Sequence, residues 1–345
     1  MADPRRWFER VKQQASPAEL YAFLFALPKG ADLHVHLSGS GTPADWYELA
    51  SGEPEALWVR AADAACSHGQ VTGPATVSRA ALRSLPSCCQ TWWVPLGSLT
   101  AAQRRAWSAR LFLAAPHEAP DGFFAAAREL SGQEDQAVDL QRLHSVYGTL
   151  RHRYPGVQVA VHAGEGFGPP YRVGPAVAAG ARRIGHGLNL IYEPSVVEHV
   201  VATGVAVEVS MVSNQMLGHV PDSARHPAAR LLRRGVPVCL STDDPGMWGA
   251  QLTDEFYLAV TAWDCTWPEI AGMTRASLRH CFAPPLLRRV VQQRHERALV
   301  NFELLRWAAG TSSPPPRPAG PPQGTAARRA AVGGGAGRRA ARPEP

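Results

Sequence analysis

The chain has 345 residues, 45% of them apolar and 19% charged, enough to bury a full core as one large α/β domain or two smaller ones. Five of its six net positive charges come from the segment beyond Thr311, where six arginines face one acid, Glu344, so the body is close to neutral and no nucleic-acid-binding face is expected. Six cysteines without CxxC spacing do not form a disulfide framework, and no run approaches the ~18 apolar residues of a membrane span.

Met1–Trp7 is charged and lacks the apolar core of a signal peptide, so a soluble cytoplasmic protein is expected. Ser16-Pro17-Ala18-Glu19 reads as a helix start, with Ser at the N-cap, Pro at N1 and Glu at N3. Leu20, Phe23, Leu24 and Leu27 follow on one helical stripe. Residues 1–29 are therefore read as a helical lead-in. Leu33-His34-Val35-His36-Leu37 is next, a strand whose period of two puts both imidazoles on one face and Leu33, Val35 and Leu37 on the other. Thr42-Pro43 can start another helix.

Residues 51–118 carry little periodicity; strand candidates there are Trp92–Leu96 and Ala109–Ala114. A further strand is read over 123–132 and a helix over 136–153. Strands are expected at 157–165, 183–187, 205–214 and 236–240. Between and after them come helices led by Pro194 and closed by Gly204, over 224–234, over 253–263 and 266–282, and from Pro285 to Ala308. Alternating strands and helices argue for a parallel α/β architecture over 30–310. Polar residues recur at the C-terminal strand ends, where (β/α)8 barrels place their chemistry. Residues 311–345, rich in Pro, Gly, Ala and Arg, are read as a disordered tail.

Those strand ends supply His34, His36, His162, His186 and the pair Asp243-Asp244, with Glu165 three residues past His162. Three neutral imidazoles and one carboxylate suit a zinc ion and leave a position for water, whose pKa zinc lowers toward ~7. A remaining His and Asp can hold and deprotonate that water, and a Glu can carry its proton to the leaving side. His219 and the other scattered histidines are read as structural, as is His226 before Pro227; Trp92-Trp93 and Trp248 are read as packing.

His34-Val35-His36, Val161-His162-Ala163-Gly164-Glu165, Ile184-Gly185-His186-Gly187 and Ser241-Thr242-Asp243-Asp244-Pro245 resemble, in order, the signature blocks of the adenosine deaminase family of metal-dependent amidohydrolases. Val212-Ser213-Asn214 with His226-Pro227 is most similar to its growth-factor branch. The resemblance implies a (β/α)8 TIM-type barrel, one Zn2+ per subunit and a small-molecule purine nucleoside substrate, with neither nucleic acid nor membrane as partner. It implies zinc ligands His34, His36, His162 and Asp243. Glu165 would protonate purine N1, His186 would activate the water, and Asp244 would contact the water or N7. Leu130-Ser131-Gly132 resembles the block whose glycine meets the purine, here Gly132.

Three features depart from that pattern. Ser38 stands where many adenosine deaminases carry a ribose-binding Asp, which keeps adenine or a modified AMP open as substrates beside adenosine. Ser210-Met211 replaces the usual Cys-Pro. Only 95 residues separate His36 from Gly132, so the second and third βα units are expected to be abbreviated or replaced. A non-catalytic relative with an incomplete barrel is the rival reading.

Overall fold

The structure is a computed structural model that describes residues 6–36, 40–51, 57–60, 65–66, 69–70, 76–109, 148–149, 152–154, 156–165 and 172–308. The expected strand over 123–132, nearly all of the helix over 136–153, the tail, Ser38 and Gly132 lie outside the described residues. Two short helices, Arg6–Gln14 and Pro17–Phe25, open the chain. The second starts as expected: Ser16 Oγ accepts from the Glu19 amide while the Glu19 carboxylate accepts from the Ser16 amide. Its stripe of Leu20, Phe23 and Leu24 is buried, packed with Trp7 and Phe8 against Trp267 and Phe302 of the C-terminal helices.

The stretch after the helix Pro43–Ser51 differs from a run of βα units. It holds β1 (Leu57–Arg60), β2 (Ala65–Cys66), β3 (Gly69–Gln70), β4 (Thr76–Ser78) and β5 (Trp93–Pro95). β1 pairs antiparallel with both β4 and β5, and β2 with β3. The Trp92–Leu96 expectation thus lands on an antiparallel strand. Ala109, expected to open another, instead closes the helix Ala101–Ala109.

The parallel sheet comes next: β6 (Ala160–Ala163), β7 (Arg183–His186), β8 (Ala206–Val209) and β9 (Val238–Leu240), in sequential order. The His-Val-His segment extends this sheet beyond β9: His36 N donates to Asp243 O and Asp243 N to His34 O, 3.0 and 2.9 Å. Asp32 fastens the same edge, accepting from Thr242 N at 3.2 Å and Thr242 Oγ1 at 2.6 Å. β7, β8 and β9 are buried on both faces, as parallel strands between helical layers are. The helices Pro194–Thr203 and Pro227–Arg233 fill the crossovers, and Leu252–Ala262, Trp267–His280 and Pro285–Ala308 follow.

Two expectations are corrected here. The strand over 205–214 ends at Val209, because the buried Glu255 carboxylate accepts from the amides of Met211 and Val212 and starts the helix Met211–Met216. Val35 does not pack into the core; it is 45% exposed. His34, on the opposite side of the segment, is buried.

A second apolar cluster joins Tyr47, Val59, Leu96 and Trp107 to Val212, Met216, Met247 and Trp248. The antiparallel segment therefore packs on the loops at the C-terminal strand ends. No described helix is long and apolar enough to cross a membrane.

Candidate metal centre

Each candidate side chain sits at or just past the C-terminal end of a parallel strand. His162 lies on β6 with Glu165 two residues beyond it, His186 ends β7, and Asp243-Asp244 follow β9, to which the His34–His36 edge is bonded. Both His186 and Asp243 adopt a left-handed backbone, φ +63°. That conformation costs a non-glycine residue ~1 kcal/mol or more and clusters at functional sites. It turns each side chain off its strand axis into the shared space.

There the imidazoles converge. His34 Nε2 is 3.3 Å from His36 Nε2, and His36 Nε2 is 3.1 Å from His162 Nε2. Asp243 Oδ1 lies 3.0 Å from His36 Nε2 and 3.5 Å from His34 Nε2. Four donors on a tetrahedral zinc, with bonds of about 2.0–2.1 Å, lie about 3.4 Å from one another. The donor set therefore has the type and separation that a tetrahedral dication takes. Two groupings lie within ligand reach, His34 with His162, His186 and Asp243, and His36 with Asp243 and Asp244. His186 Nε2 lies 3.8 Å from Asp243 Oδ2 and 3.5 Å from Glu165 Oε2.

The outer nitrogens are held as well. His34 Nδ1 faces Glu208 Oε2 at 3.1 Å, and Glu208 is ion-paired with Arg183 on the adjacent strand. Arg183 in turn donates to His280 O and stacks on the Phe282 ring. An acceptor-only carboxylate at Nδ1 fixes the hydrogen there and leaves the Nε2 lone pair facing the centre. Gly185 makes room for this ring: a Cβ there would lie 2.7 Å from His34 Cε1. On the other side, His186 Nδ1 contacts Asn214 Nδ2 at 3.2 Å, and Asn214 Oδ1 contacts His226 Nε2 at 3.1 Å.

Electrostatics separate the carboxylates. Burial and the neighbouring Asp243 push Glu165 up to about 7. The same two causes bring Asp244 to about 7. Burial opposes ionisation of Asp243 too, but the His34 and His36 imidazoles against it outweigh that cost and hold the carboxyl well below its usual range. Asp243 is thus the anion of the centre, and Glu165 is a carboxyl able to hold a proton near neutrality.

The structure brings together His34, His36, His162, Glu165, His186, Asp243 and Asp244. Trp248 is fully buried, its indole donating to Thr242 O. Sequence reasoning missed Glu208 and Arg183, charged residues hidden inside short apolar strands. It also read His219 as structural, whereas its Nε2 lies 3.8 Å from Glu165 Oε1 at the edge of the site.

A family model described as adenosine deaminase matches residues 74–294. The adenosine deaminase of Serratia proteamaculans is 34% identical over 129 residues, covering 37% of this chain and 36% of that protein. The adenine deaminase of Agrobacterium fabrum is 34% identical over 166 residues, 48% of this chain and 49% of that one. The chain therefore spans half or less of the length of these relatives. Among solved structures, an amidohydrolase from Burkhoderia ambifaria with bound zinc aligns with a TM-score of 0.52 at 17% identity, covering 84% of this chain and 95% of that one. That likeness is one of fold.

Proposed function

We propose that this chain, which belongs to the adenosine deaminase family, is a zinc-dependent hydrolase that removes the 6-amino group of a purine nucleoside, adenosine above other 6-aminopurines. The observation that carries the reading is the convergence of three imidazoles and Asp243 at tetrahedral spacing, with a proton-holding Glu165 beside them. The α/β barrel fold of the family's amidohydrolases suits it, because each of these groups sits at a C-terminal strand end.

His34, His36, His162 and Asp243 would hold one Zn2+. Bound there, zinc lowers the pKa of a water and makes hydroxide available at neutral pH. His186 lies between Glu165 and Asp243 and orients the attacking water toward purine C6. Glu165 gives a proton to N1 as attack begins, which makes C6 more electrophilic and relieves the negative charge that would build on the ring. A C6–O bond forms and the C6–N bond breaks; one proton of the water goes to the amino group, which leaves as ammonia, the other restores Glu165, and the proton given to N1 stays on the product. Asp244 contacts the water or N7; the Gly132 backbone is assigned to the purine by the family pattern alone, and Ser38 to the substrate only by standing where the family's ribose-binding Asp does.

Conversion of adenosine, deoxyadenosine, adenine and N6-methyl-AMP, compared on one preparation, tests the assignment. Highest kcat/KM on adenosine supports it. Turnover of adenine alone would move the substrate to the free base.

A further inference from the structure

We infer that Asn214 and His226 are positioning residues that lock His186 in the tautomer whose Nε2 carries the hydrogen, keeping His186 out of the ligand set and facing the site as a proton donor. The tautomer follows from hydrogen-bond geometry alone; the use made of that hydrogen rests on the deaminase reading.

The chain of bonds begins at a backbone amide. His226 caps the helix Pro227–Arg233, and its Nδ1 accepts from Ala228 N at 3.2 Å. A nitrogen that accepts carries no hydrogen, so the hydrogen of His226 is on Nε2. Nε2 then donates to its neighbour, the Asn214 side chain at 3.1 Å, which must present its oxygen. The reverse amide orientation would require His226 to accept at both nitrogens, which a neutral imidazole cannot do. With Oδ1 committed to His226, Asn214 Nδ2 is left to donate to His186 Nδ1 at 3.2 Å. His186 Nδ1 is therefore an acceptor, and its hydrogen lies on Nε2, toward Glu165 and Asp243.

The contrast with His34 is what gives the arrangement meaning. Both imidazoles point Nε2 into the same space, but their outer nitrogens meet partners of opposite kind. Glu208 accepts from His34 Nδ1, leaving a lone pair for a metal; Asn214 donates to His186 Nδ1, leaving a hydrogen. Two groupings of donors are within ligand reach, one of them including His186. The Asn214–His226 pair removes His186 from that grouping and leaves His34, His162 and Asp243, with His36 beside them, to hold the metal. All three residues are buried, so water does not compete for these bonds. His226, adjacent to a proline in a surface-like stretch of sequence, thereby acquires a role beyond capping.

The test reads the tautomer directly, by long-range 1H–15N correlation on zinc-loaded protein labelled at histidine, with His186 assigned by its loss in His186→Gln. The expected result is a protonated Nε2 and an unprotonated Nδ1 for His186, and the opposite pattern for His34, with its Nε2 on zinc. Asn214→Asp replaces the donor by a group that only accepts, so His186 moves its hydrogen to Nδ1. A wrong tautomer of this kind costs up to about 10⁴-fold in kcat, with KM little changed. His226→Gln keeps a donor toward Asn214 and is expected to keep the wild-type tautomer and kcat within a few fold. A protonated Nδ1 on His186 in the wild-type protein overturns the inference, as does an unchanged tautomer in a folded Asn214→Asp variant. Should Asn214→Asp not fold, the wild-type and His226→Gln spectra decide. A protein that shows the expected tautomer but deaminates no purine keeps the lock and loses the proposed function.

Discussion

Gly185→Ala isolates the geometry of the centre with a single methyl group. Gly185 is not among the residues with a left-handed backbone, so alanine adds a side chain without changing what the backbone prefers. The added Cβ would sit 2.7 Å from His34 Cε1 and 3.0 Å from Nδ1, where ordinary contact starts at 3.4 Å. The ring must retreat by roughly 0.7 Å, and overpacking of this kind costs about 1–3 kcal/mol. Retreat is restrained on both sides, by Glu208 at 3.1 Å from Nδ1 and by His36 Nε2 at 3.3 Å from Nε2. Both His34 contacts suffer, and mispositioning a metal-holding histidine weakens metal affinity about 10–100-fold, roughly 1.4–2.7 kcal/mol. Competition against a fluorescent zinc chelator measures that loss. Thermal melting in excess chelator separately measures the packing strain. Wild-type zinc affinity in a folded Gly185→Ala protein would refute the placement of His34 in the centre.

Three further outcomes follow from the same geometry. Glu208→Ala leaves Arg183 charged, buried and without its carboxylate, so denaturant unfolding should show a loss of about 3–5 kcal/mol, with weaker zinc binding; an unmoved midpoint would contradict the pairing. Glu165→Gln should bind zinc like the wild type and lose about 10²–10⁴-fold in turnover, since the amide has no proton to give; retained activity would remove Glu165 from its role. Burial pushes the Cys265 thiol up to about 12, so at pH 8 it stays protonated and should resist iodoacetamide until the protein unfolds, as peptide mapping will show.

Much of the candidate site was legible because its residues sit at strand ends, where a polar residue interrupts an apolar run. The Ser16 capping box and the Pro285–Ala308 helix were legible for a similar reason, since their local chemistry agrees with the tertiary fold. What could not be read depends on distant partners. Glu208 looks like a break in a strand until Arg183 and His34 are seen beside it. The helix at Met211–Met216 follows an apolar run that would continue as strand, and Glu255, more than forty residues on, starts it. His219 gave no sign of its place near Glu165, because only the fold of its loop brings it there. β1, β4 and β5 are antiparallel strands too short for a periodic signal, and Val59 of β1 packs with Leu96 and Trp107 on the site's loops.

The centre is proposed to hold zinc and to use it to hydrolyse a purine amine. Metal content and adenosine conversion, measured on the same purified protein, test it most directly. One zinc per chain is expected, with equal yields of inosine and ammonia, and activity is lost to a chelator and restored by added zinc. One zinc per chain with no turnover of any 6-aminopurine would contradict it.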